Sequence, residues 1–167
     1  MNTTAAEASR RSEIPEALKA SEVRYRRLFE TAKDGILILD AETGRIVDSN
    51  SYLEKMLGYS HAELQGTRLW EIGSFKDIAA SQASFQELLR KEYIRYEDLS
   101  LETKGGEHRQ VEFVSNVSQV DHAKVVQCNV RDITSRKLAE AGLQRANERL
   151  SSLVATQFPP ISIFMVS

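Results

Sequence analysis

Several features that define common classes of protein are scarce or missing in this chain of 167 residues. A single cysteine, Cys128, excludes an internal disulfide and any zinc site built from a cysteine cluster. Because no run of about 18 apolar residues occurs, no segment is predicted to span a membrane. The net charge of −2 gives no basic surface of the kind that binds nucleic acid. These absences leave a globular protein of ordinary composition, predicted to be cytoplasmic.

The residues that usually signal catalysis or metal binding are also sparse. The three histidines, His61, His108 and His122, lie in predicted turns or polar strand ends and lack metal-ligand spacing. We therefore expect solvated surface histidines and no metal. Gly105-Gly106 fits a hairpin turn rather than a phosphate-binding loop. No nucleophile or pair of carboxylates stands out, so the sequence predicts no enzymatic activity.

The most informative stretch runs from Val125 to Thr134 and continues into a helix. Val126, Cys128 and Val130 alternate with polar residues, which predicts a strand with one buried face. Asp132 and Thr134 can accept hydrogen bonds from the free N–H groups that open a helix. We therefore predict a signal junction between strand and helix, formed by Arg131, Asp132, Ile133 and Thr134. Asp132 would tie the two together by capping or by pairing with Arg131, Arg136 or Lys137; the simpler alternative is a cap that contributes about 1 kcal/mol.

The helix after this junction, predicted over 135–154, has the pattern of a coiled coil. Its apolar residues recur at spacings of four and three and are Ala139, Leu143, Ala146, Leu150 and Leu153. The seam predicts a homodimer formed through Leu143 and Leu150, with help from an N-terminal helix around Leu18 and Phe29. A surface helix that folds back on its own domain is the alternative. Residues 155–167 form an apolar, proline-broken tail that is too short to cross a bilayer; whether this tail docks on the domain is left open.

The remaining segments alternate between helical and strand patterns. Residues 1–13 lack the apolar core of a signal peptide and are predicted to be disordered, and an amphipathic helix is predicted over 14–33. The core, 34–134, is expected to contain a strand at Ile36–Leu39 and a return strand at Arg45–Ser49. Helices are predicted at Tyr52–Leu57, after the capping box at Ser60 and Glu63, at Leu69–Ile72 and over 75–92, and strands at Tyr96–Thr103 and Arg109–Val120. This order predicts an α+β domain: a five-stranded antiparallel sheet with short helices on one face, flanked by N- and C-terminal helices.

In order and spacing, several short segments resemble the PAS (S-box) sensor family over roughly residues 21–146. The matching segments are Tyr25–Glu30, Asp34–Ile36, Gly44–Ile46 with Asn50, Leu57–Ser60, Glu63–Gly66, Leu101–Gly106 and Arg131–Thr134. Where the family often has Asp-Gly, this chain has Gly105-Gly106, and both suit a tight turn. The resemblance implies the PAS fold and a sensory role.

The resemblance also allows cofactor types to be tested against residues. Flavin-adduct photosensors of this family carry a cysteine after the second short helix, where this chain has Gly66-Thr67-Arg68-Leu69. Haem-binding members carry a histidine on the longest internal helix, here 75–92, which has none. Haem and cysteinyl-flavin photochemistry are therefore not expected. No cofactor is required, and a non-covalent flavin or another small organic ligand is left open.

The space between sheet and helices is the predicted ligand pocket. Its candidate lining residues are Ile36, Ile38, Met56, Trp70, Phe85, Leu89, Tyr96, Phe113, Ser115 and Cys128. Because these are nearly all apolar, a packed core is favoured over a dedicated ligand site. The function predicted is a sensory and dimerisation module that relays ligand, redox or partner state to the C-terminal helix. The alternatives are a ligand-free interaction scaffold, or the sensor part of a histidine kinase or nucleotide cyclase.

Overall fold

A computed structural model describes residues 3–79, 81–120 and 122–157, with side chains from residue 15 onward. The helices are α1 (Thr3–Thr31), α2 (Ser51–Leu57), α3 (His61–Leu64), α4 (Gln82–Lys91) and α5 (Thr134–Gln157), with short 3-10 helices at Leu69–Glu71 and Gly73–Phe75. The strands are β1 (Gly35–Asp40), β2 (Ile46–Ser49), β3 (Tyr93–Glu102), β4 (His108–Val120) and β5 (Ala123–Asp132). The chain divides into two compact units between Asp132 and Ile133.

The first unit is built on one antiparallel sheet with the strand order β2-β1-β5-β4-β3. Helices α2 to α4 and the two 3-10 helices lie in the connection between β2 and β3 and supply apolar side chains to a single core. The predicted α+β architecture and five-stranded antiparallel sheet are therefore confirmed. Strand β5 occupies the centre of the sheet, so the stretch singled out in the sequence is also the structural middle of the unit.

The residues of β1 that face the core differ from those predicted. Leu37 lies opposite Cys128, and Leu39 lies opposite Val126; all four side chains are fully buried. Ile36 and Ile38, predicted to point inward, therefore lie on the outer face of the sheet and are only partly buried. Because β1 is apolar at every position from 36 to 39, alternation alone cannot decide which residues face the core. The pairing of β1 with β5 decides it.

Asn50, between β2 and α2, is fully buried and all its amide hydrogen-bonding groups have partners. Its Oδ1 accepts hydrogen bonds from the N–H groups of Ile36 (2.9 Å) and Leu53 (3.1 Å). Its Nδ2 donates to the carbonyl oxygens of Phe29 (3.1 Å) and Asp34 (3.0 Å). Asn50 is thus the N-cap of α2, and it also joins the end of α1 to the start of β1.

Helix α1 is longer than predicted. It begins at Thr3, inside the segment 1–13 that was expected to be disordered, and Pro15 lies within the helix rather than in its first turn. The first turns are rich in alanine and arginine, which have high helix propensity, so the helical pattern extends upstream of the proline. Near its other end α1 buries the ring of Phe29.

The helix predicted over 75–92 is interrupted. A 3-10 turn covers Gly73–Phe75, and α4 begins only at Gln82. Ser81 has an extended backbone (φ −156°, ψ 168°), and its side chain accepts a hydrogen bond from the N–H of Ser84 at 3.3 Å. A serine in this conformation starts a new helix rather than continuing an old one, which explains the break.

The second unit contains α5, and no residue of this helix is buried. Helix α5 spans Thr134–Gln157 and therefore contains the predicted coiled-coil segment 135–154. The end of the predicted apolar tail, 158–167, lies outside the described residues. Among the described helices, none combines the length and apolar character needed to cross a membrane.

We predict that Asn50→Ala lowers the free energy of unfolding by about 3 kcal/mol, because it removes a helix cap and leaves buried backbone groups unsatisfied. The measurement is urea unfolding followed by circular dichroism. Asn147→Ala, at an exposed position of α5, is the matched control and should change stability by less than about 0.5 kcal/mol. A loss below about 1 kcal/mol for Asn50→Ala would show that other groups anchor this corner.

Candidate functional site

The interior between the sheet and the helices is closed by large apolar side chains. Phe75, Phe85 and Phe113 have no solvent-exposed surface and come from three different elements. The inward-facing residues of β1 and β5 complete the cluster with Leu37, Leu39, Val126, Cys128 and Val130. The interior is therefore lined almost entirely by hydrocarbon.

The few polar side chains buried in this unit already have partners within the protein. They are Ser49, Asn50, Ser74 and Ser115. Ser49 donates to Glu54 at 2.9 Å, Ser74 donates to the carbonyl oxygen of Glu102, and Ser115 receives a weak hydrogen bond from Cys128 at 3.8 Å. A specific ligand pocket needs convergent polar groups that are free to meet a ligand. These four side chains are instead engaged in holding the fold.

Trp70 fills the region beside the turn between β1 and β2. Its ring lies 5.6 Å, centroid to centroid, from Phe85, and the guanidinium of Arg68 lies over it at 5.8 Å. Gly44, with φ +68°, packs against the same ring, and a Cβ at this position would lie 2.4 Å from the indole. Glycine is therefore needed at position 44 for two reasons: its φ is positive, and any side chain would collide with the ring of Trp70. Trp70 thus acts as a packing residue.

Eight of the ten predicted pocket residues lie on the core side of the sheet or on the helices that cover it. Phe85, Phe113, Ser115 and Cys128 are fully or almost fully buried, and Met56 is 9% exposed. Trp70 and Leu89 pack at the margin of the core, whereas Tyr96 is 37% exposed and contacts Phe113 at a centroid distance of 6.3 Å. Ile36 and Ile38 are on the other face. Leu37 and Leu39 are core residues that the sequence pattern did not single out, because the pairing of β1 with β5 is needed to show which face they occupy.

Cys128 is an inert core residue in this geometry. It lies on the central strand with no exposed surface, and burial raises the pKa of its thiol to about 12. Because the thiolate is the reactive form, the thiol is protected both sterically and electrostatically.

One cluster on the surface has the composition of a hydrolase site but not its geometry. His61 Nδ1 lies 2.8 Å from Glu54 Oε1, and the Ser49 hydroxyl donates to that same oxygen at 2.9 Å. The serine hydroxyl donates to the carboxylate at 2.9 Å, whereas Nδ1 of the imidazole lies farther away, at 3.4 Å, and Ser49 is 1% exposed. His61, expected to be simply solvated, instead links α3 to α2. Among the described residues, no group of His, Cys, Asp and Glu side chains is arranged to hold a metal.

The end of β5 is held by ion pairs to its neighbours. Asp132 Oδ2 lies 3.4 Å from Nη1 of Arg109 on β4, a partner that the sequence analysis did not name. Arg131 makes two hydrogen bonds to Asp34, at 3.0 and 2.8 Å, and its Nη1 lies 3.8 Å from Glu112. Hydrogen bonding to Asp34 raises the pKa of Arg131. Within the first unit, both strand-end residues therefore pair with β4, and Arg131 also pairs with the residue that precedes β1.

Glu112 extends these ion pairs across the outer face of the sheet. Its side chain is only 14% exposed and also pairs with Arg95 on β3. The four side chains Asp34, Arg131, Glu112 and Arg95 form a row of alternating charge that runs from the start of β1 to the edge strand. We call this row the charge ladder. Ile133 and Thr134, the other predicted junction residues, belong to the second unit, where α5 starts.

The predicted coiled-coil residues are accessible on α5. Leu143, Leu150 and Leu153 are 61–65% exposed, and Ala139 and Ala146 are exposed as well. On α1, Leu18 is exposed, but Phe29 is 4% exposed and packs inside the first unit. Phe29 is therefore not available for the dimer contact suggested from the sequence.

We predict that Cys128 in the folded protein reacts with iodoacetamide at pH 8 less than about one hundredth as fast as in urea, because only the thiolate attacks. Labelling is followed by mass spectrometry. Ser118→Cys, made in a Cys128→Ala background, places a thiol at an exposed position of β4 and should react without denaturant. Comparable rates for Cys128 and the exposed thiol would show that the core opens readily.

Comparison with known proteins supports the interpretation from the fold. The PAS domain family model matches residues 33–135. The chain is 29% identical over 139 residues to a methyl sulfide methyltransferase-associated sensor of Methanosarcina acetivorans and 26% identical over 144 residues to sporulation kinase E of Bacillus subtilis. Each alignment covers 83% of this chain, but only 14% and 18%, respectively, of the longer relative.

A solved structure agrees with the fold. The PAS domain of an HTR-like protein from Haloarcula marismortui superposes with a TM-score of 0.61 and 24% sequence identity. The match covers 73% of this chain and 99% of that domain. The sheet order, the helical connection between β2 and β3, the family match over 33–135 and this superposition all indicate the same fold. The chain belongs to the PAS domain family.

Proposed function

We propose that this chain is the sensory and dimerisation module of a cytoplasmic signalling protein, with no catalytic role of its own. The state of the sheet and core passes through residues 131–134 to α5, which pairs with α5 of a second copy. The input is a ligand, a redox change or a partner that alters the first unit. The output is a change in the geometry of the helix pair.

The observation that carries this proposal is the exposed apolar seam of α5. Its leucines are more than half exposed, and no residue of this 24-residue helix is buried. Covering one exposed leucine side chain contributes about 1.5–3 kcal/mol, so an isolated helix of this kind is stabilised strongly by a partner. The spacing of four and three residues matches a two-helix coiled coil, which favours a second copy as that partner.

The ion pairs at the end of β5 support a relay. Asp132 pairs with Arg109 on β4, and Arg131 pairs with Glu112 on β4 and with Asp34, the residue before β1. In this proposal, a shift of β4 or of the start of β1 moves the end of β5, and the chain passes that movement to α5. Coiled coils have alternative registers that differ by small rotations, which gives the relay a two-state element.

The relatives suggest the context in which such a module works. One is named a sensor and the other a kinase, and this chain spans less than a fifth of the length of either. We propose that the output domain is a histidine kinase or a nucleotide cyclase. Because α5 contains no histidine, the phosphorylated residue of a kinase would lie outside this helix.

A second candidate function, a ligand-free interaction scaffold, is favoured by the filled interior. All four buried polar side chains are engaged within the protein, and Trp70 packs against Gly44 and Phe85. In this alternative the signal is the binding of a partner protein. Native mass spectrometry separates the two candidates: a mass above that of the polypeptide, lost on denaturation, supports the ligand sensor.

We predict that Leu143→Glu with Leu150→Glu weakens dimerisation at least about 100-fold, because four charges per dimer replace buried leucines. The measurement is sedimentation equilibrium over a concentration series. Gln144→Glu with Ser151→Glu adds the same charge at the same spacing outside the seam and should leave the dimer intact. An undiminished dimer in the leucine variant would place the interface elsewhere.

We also predict that Asp132→Ala and Arg109→Gln each change the separation of the two α5 helices by about 2 Å or broaden its distribution. The separation is measured by double electron–electron resonance spectroscopy with a nitroxide attached to Ser152→Cys. Arg27→Gln, at an exposed position of α1, removes an arginine away from β5 and should leave the distances unchanged. Identical distributions in all the variants would contradict the relay.

A further inference from the structure

The first unit has an open cleft beside the closed interior. It has a volume of about 680 Å³ and lies between α4, the turn after β1 and the ends of β4 and β5. We call it the α4 cleft. Of the predicted pocket residues, only Leu89 lines it. The α4 cleft is thus distinct from the space between Phe85, Phe113 and Trp70, and its size is within the range of about 300–1,000 Å³ typical of small-molecule sites.

The floor of the α4 cleft is apolar and its rim is polar. Ala41, Leu89 and Val117 form the floor, and the last two pack at the margin of the core. The rim is formed by Glu42, Gln86, Arg90, Gln119, His122 and Lys124. An apolar floor with a few polar groups at one edge is the arrangement that binds an amphiphilic small molecule.

Lys124 is the most informative rim residue. It lies opposite Gln119 in the β4–β5 pairing, on the same side of the sheet as the buried residues Val126 and Cys128. Its carbonyl oxygen accepts a hydrogen bond from the N–H of Ala41 at 3.0 Å, which fixes its backbone at the rim of the α4 cleft. Its ammonium group makes no ion pair with another described residue. The core-facing side of the sheet therefore ends in an exposed lysine whose backbone is fixed and whose charge is not paired with any other residue that the structure describes.

The other charges on the rim limit the ligand. Arg90 is already bound by Glu87 through two hydrogen bonds of 2.7 and 3.1 Å, so its charge is largely compensated. Glu42 supplies one carboxylate and forms no ion pair with Lys124. A dianion would be repelled by Glu42, whereas a single carboxylate can pair with Lys124. His122 is a second donor on the same rim.

The backbone at the end of α4 connects the α4 cleft with the sheet. Glu92 follows the helix with φ +57°, a strained value for a residue other than glycine. Its carbonyl oxygen accepts a hydrogen bond from the N–H of Val117 at 2.8 Å. A ligand that contacts both Leu89 and Val117 therefore lies beside the hydrogen bond that joins the end of α4 to β4, and β4 carries Arg109, the partner of Asp132.

We propose that the α4 cleft binds a small monocarboxylate with an apolar chain. The carboxylate pairs with Lys124 at the rim, and the chain lies on Leu89 and Val117. This inference deepens the proposed sensory function by naming a class of input, and it rests on that function only for its link to the helix pair. Binding itself is tested separately.

The experiment titrates the full chain with hexanoate, hexanamide and hexylammonium and follows backbone amide signals by NMR. We expect hexanoate to shift the signals of Leu89, Val117 and Lys124 in a saturable manner. The uncharged amide should bind about threefold to fivefold more weakly, and the cation more weakly still. Equal shifts with all three compounds, or no saturable shift with hexanoate, would overturn the proposal.

Variants locate the site. Lys124→Gln should weaken hexanoate binding about threefold to fivefold, and Lys124→Glu should abolish it. Gln86→Trp, at an exposed position of α4, should block the α4 cleft without disturbing the core. Lys55→Gln and Lys55→Glu, at an exposed position of α2, are the matched controls and should bind like the wild type. Equal affinity in the Lys124 and Lys55 variants would overturn the assignment.

The failure of this proposal can be distinguished from the failure of the proposed function. If hexanoate does not bind while Asp132→Ala changes the helix separation, the α4 cleft proposal fails alone. If hexanoate binds to the wild type and not to Lys124→Glu, but saturation leaves the Ser152→Cys distances unchanged, the site is confirmed and its sensory role is wrong.

Discussion

The first unit depends on the fully buried amide of Asn50, which supplies hydrogen bonds where three elements meet. Its Oδ1 accepts hydrogen bonds from N–H groups near the starts of β1 and α2. Its Nδ2 donates to the carbonyl oxygens of Phe29, near the end of α1, and of Asp34, just before β1. An unsatisfied polar group in such a place costs about 1–3 kcal/mol. The neighbouring residue Asp34 then binds Arg131 near the end of β5. The start of β1, where the chain enters the sheet, and the end of β5, where it leaves the sheet, are therefore held together at one corner.

The packing of the interior constrains where a signal can act. Phe75, Phe85 and Phe113 are fully buried, and the buried polar side chains are already bonded. A close-packed core transmits displacement rather than absorbing it, because few voids are available to take up a shift. In the proposed relay, an input at the margin, such as the α4 cleft, or at the charge ladder reaches the end of β5 by such a displacement. This gives a physical basis for sensing without a large internal cavity.

Membership of the PAS family and the proposed role rest on different kinds of observation. The family follows from the match over 33–135 together with the sheet order. The role depends on features of this chain: the exposed leucines of α5 and the ion pairs of Arg131 and Asp132. A PAS fold alone would not assign a function, because such folds are reused with different sites. The relatives named as a sensor and a kinase provide the context for the proposal.

The sequence by itself determined the α+β class, the five strands and the apolar seam of α5. These features depend on hydrophobic periodicity and turn residues, which can be recognised from residues close together in the sequence. Only the tertiary structure decided that Leu37 and Leu39, rather than Ile36 and Ile38, face the core. In a strand that is apolar at every position, alternation does not show which residues point inward. The tertiary structure also decided the roles of Asn50 and Arg109, since their partners Phe29, Asp34 and Asp132 are distant in the chain. Contacts across such separations leave no local pattern.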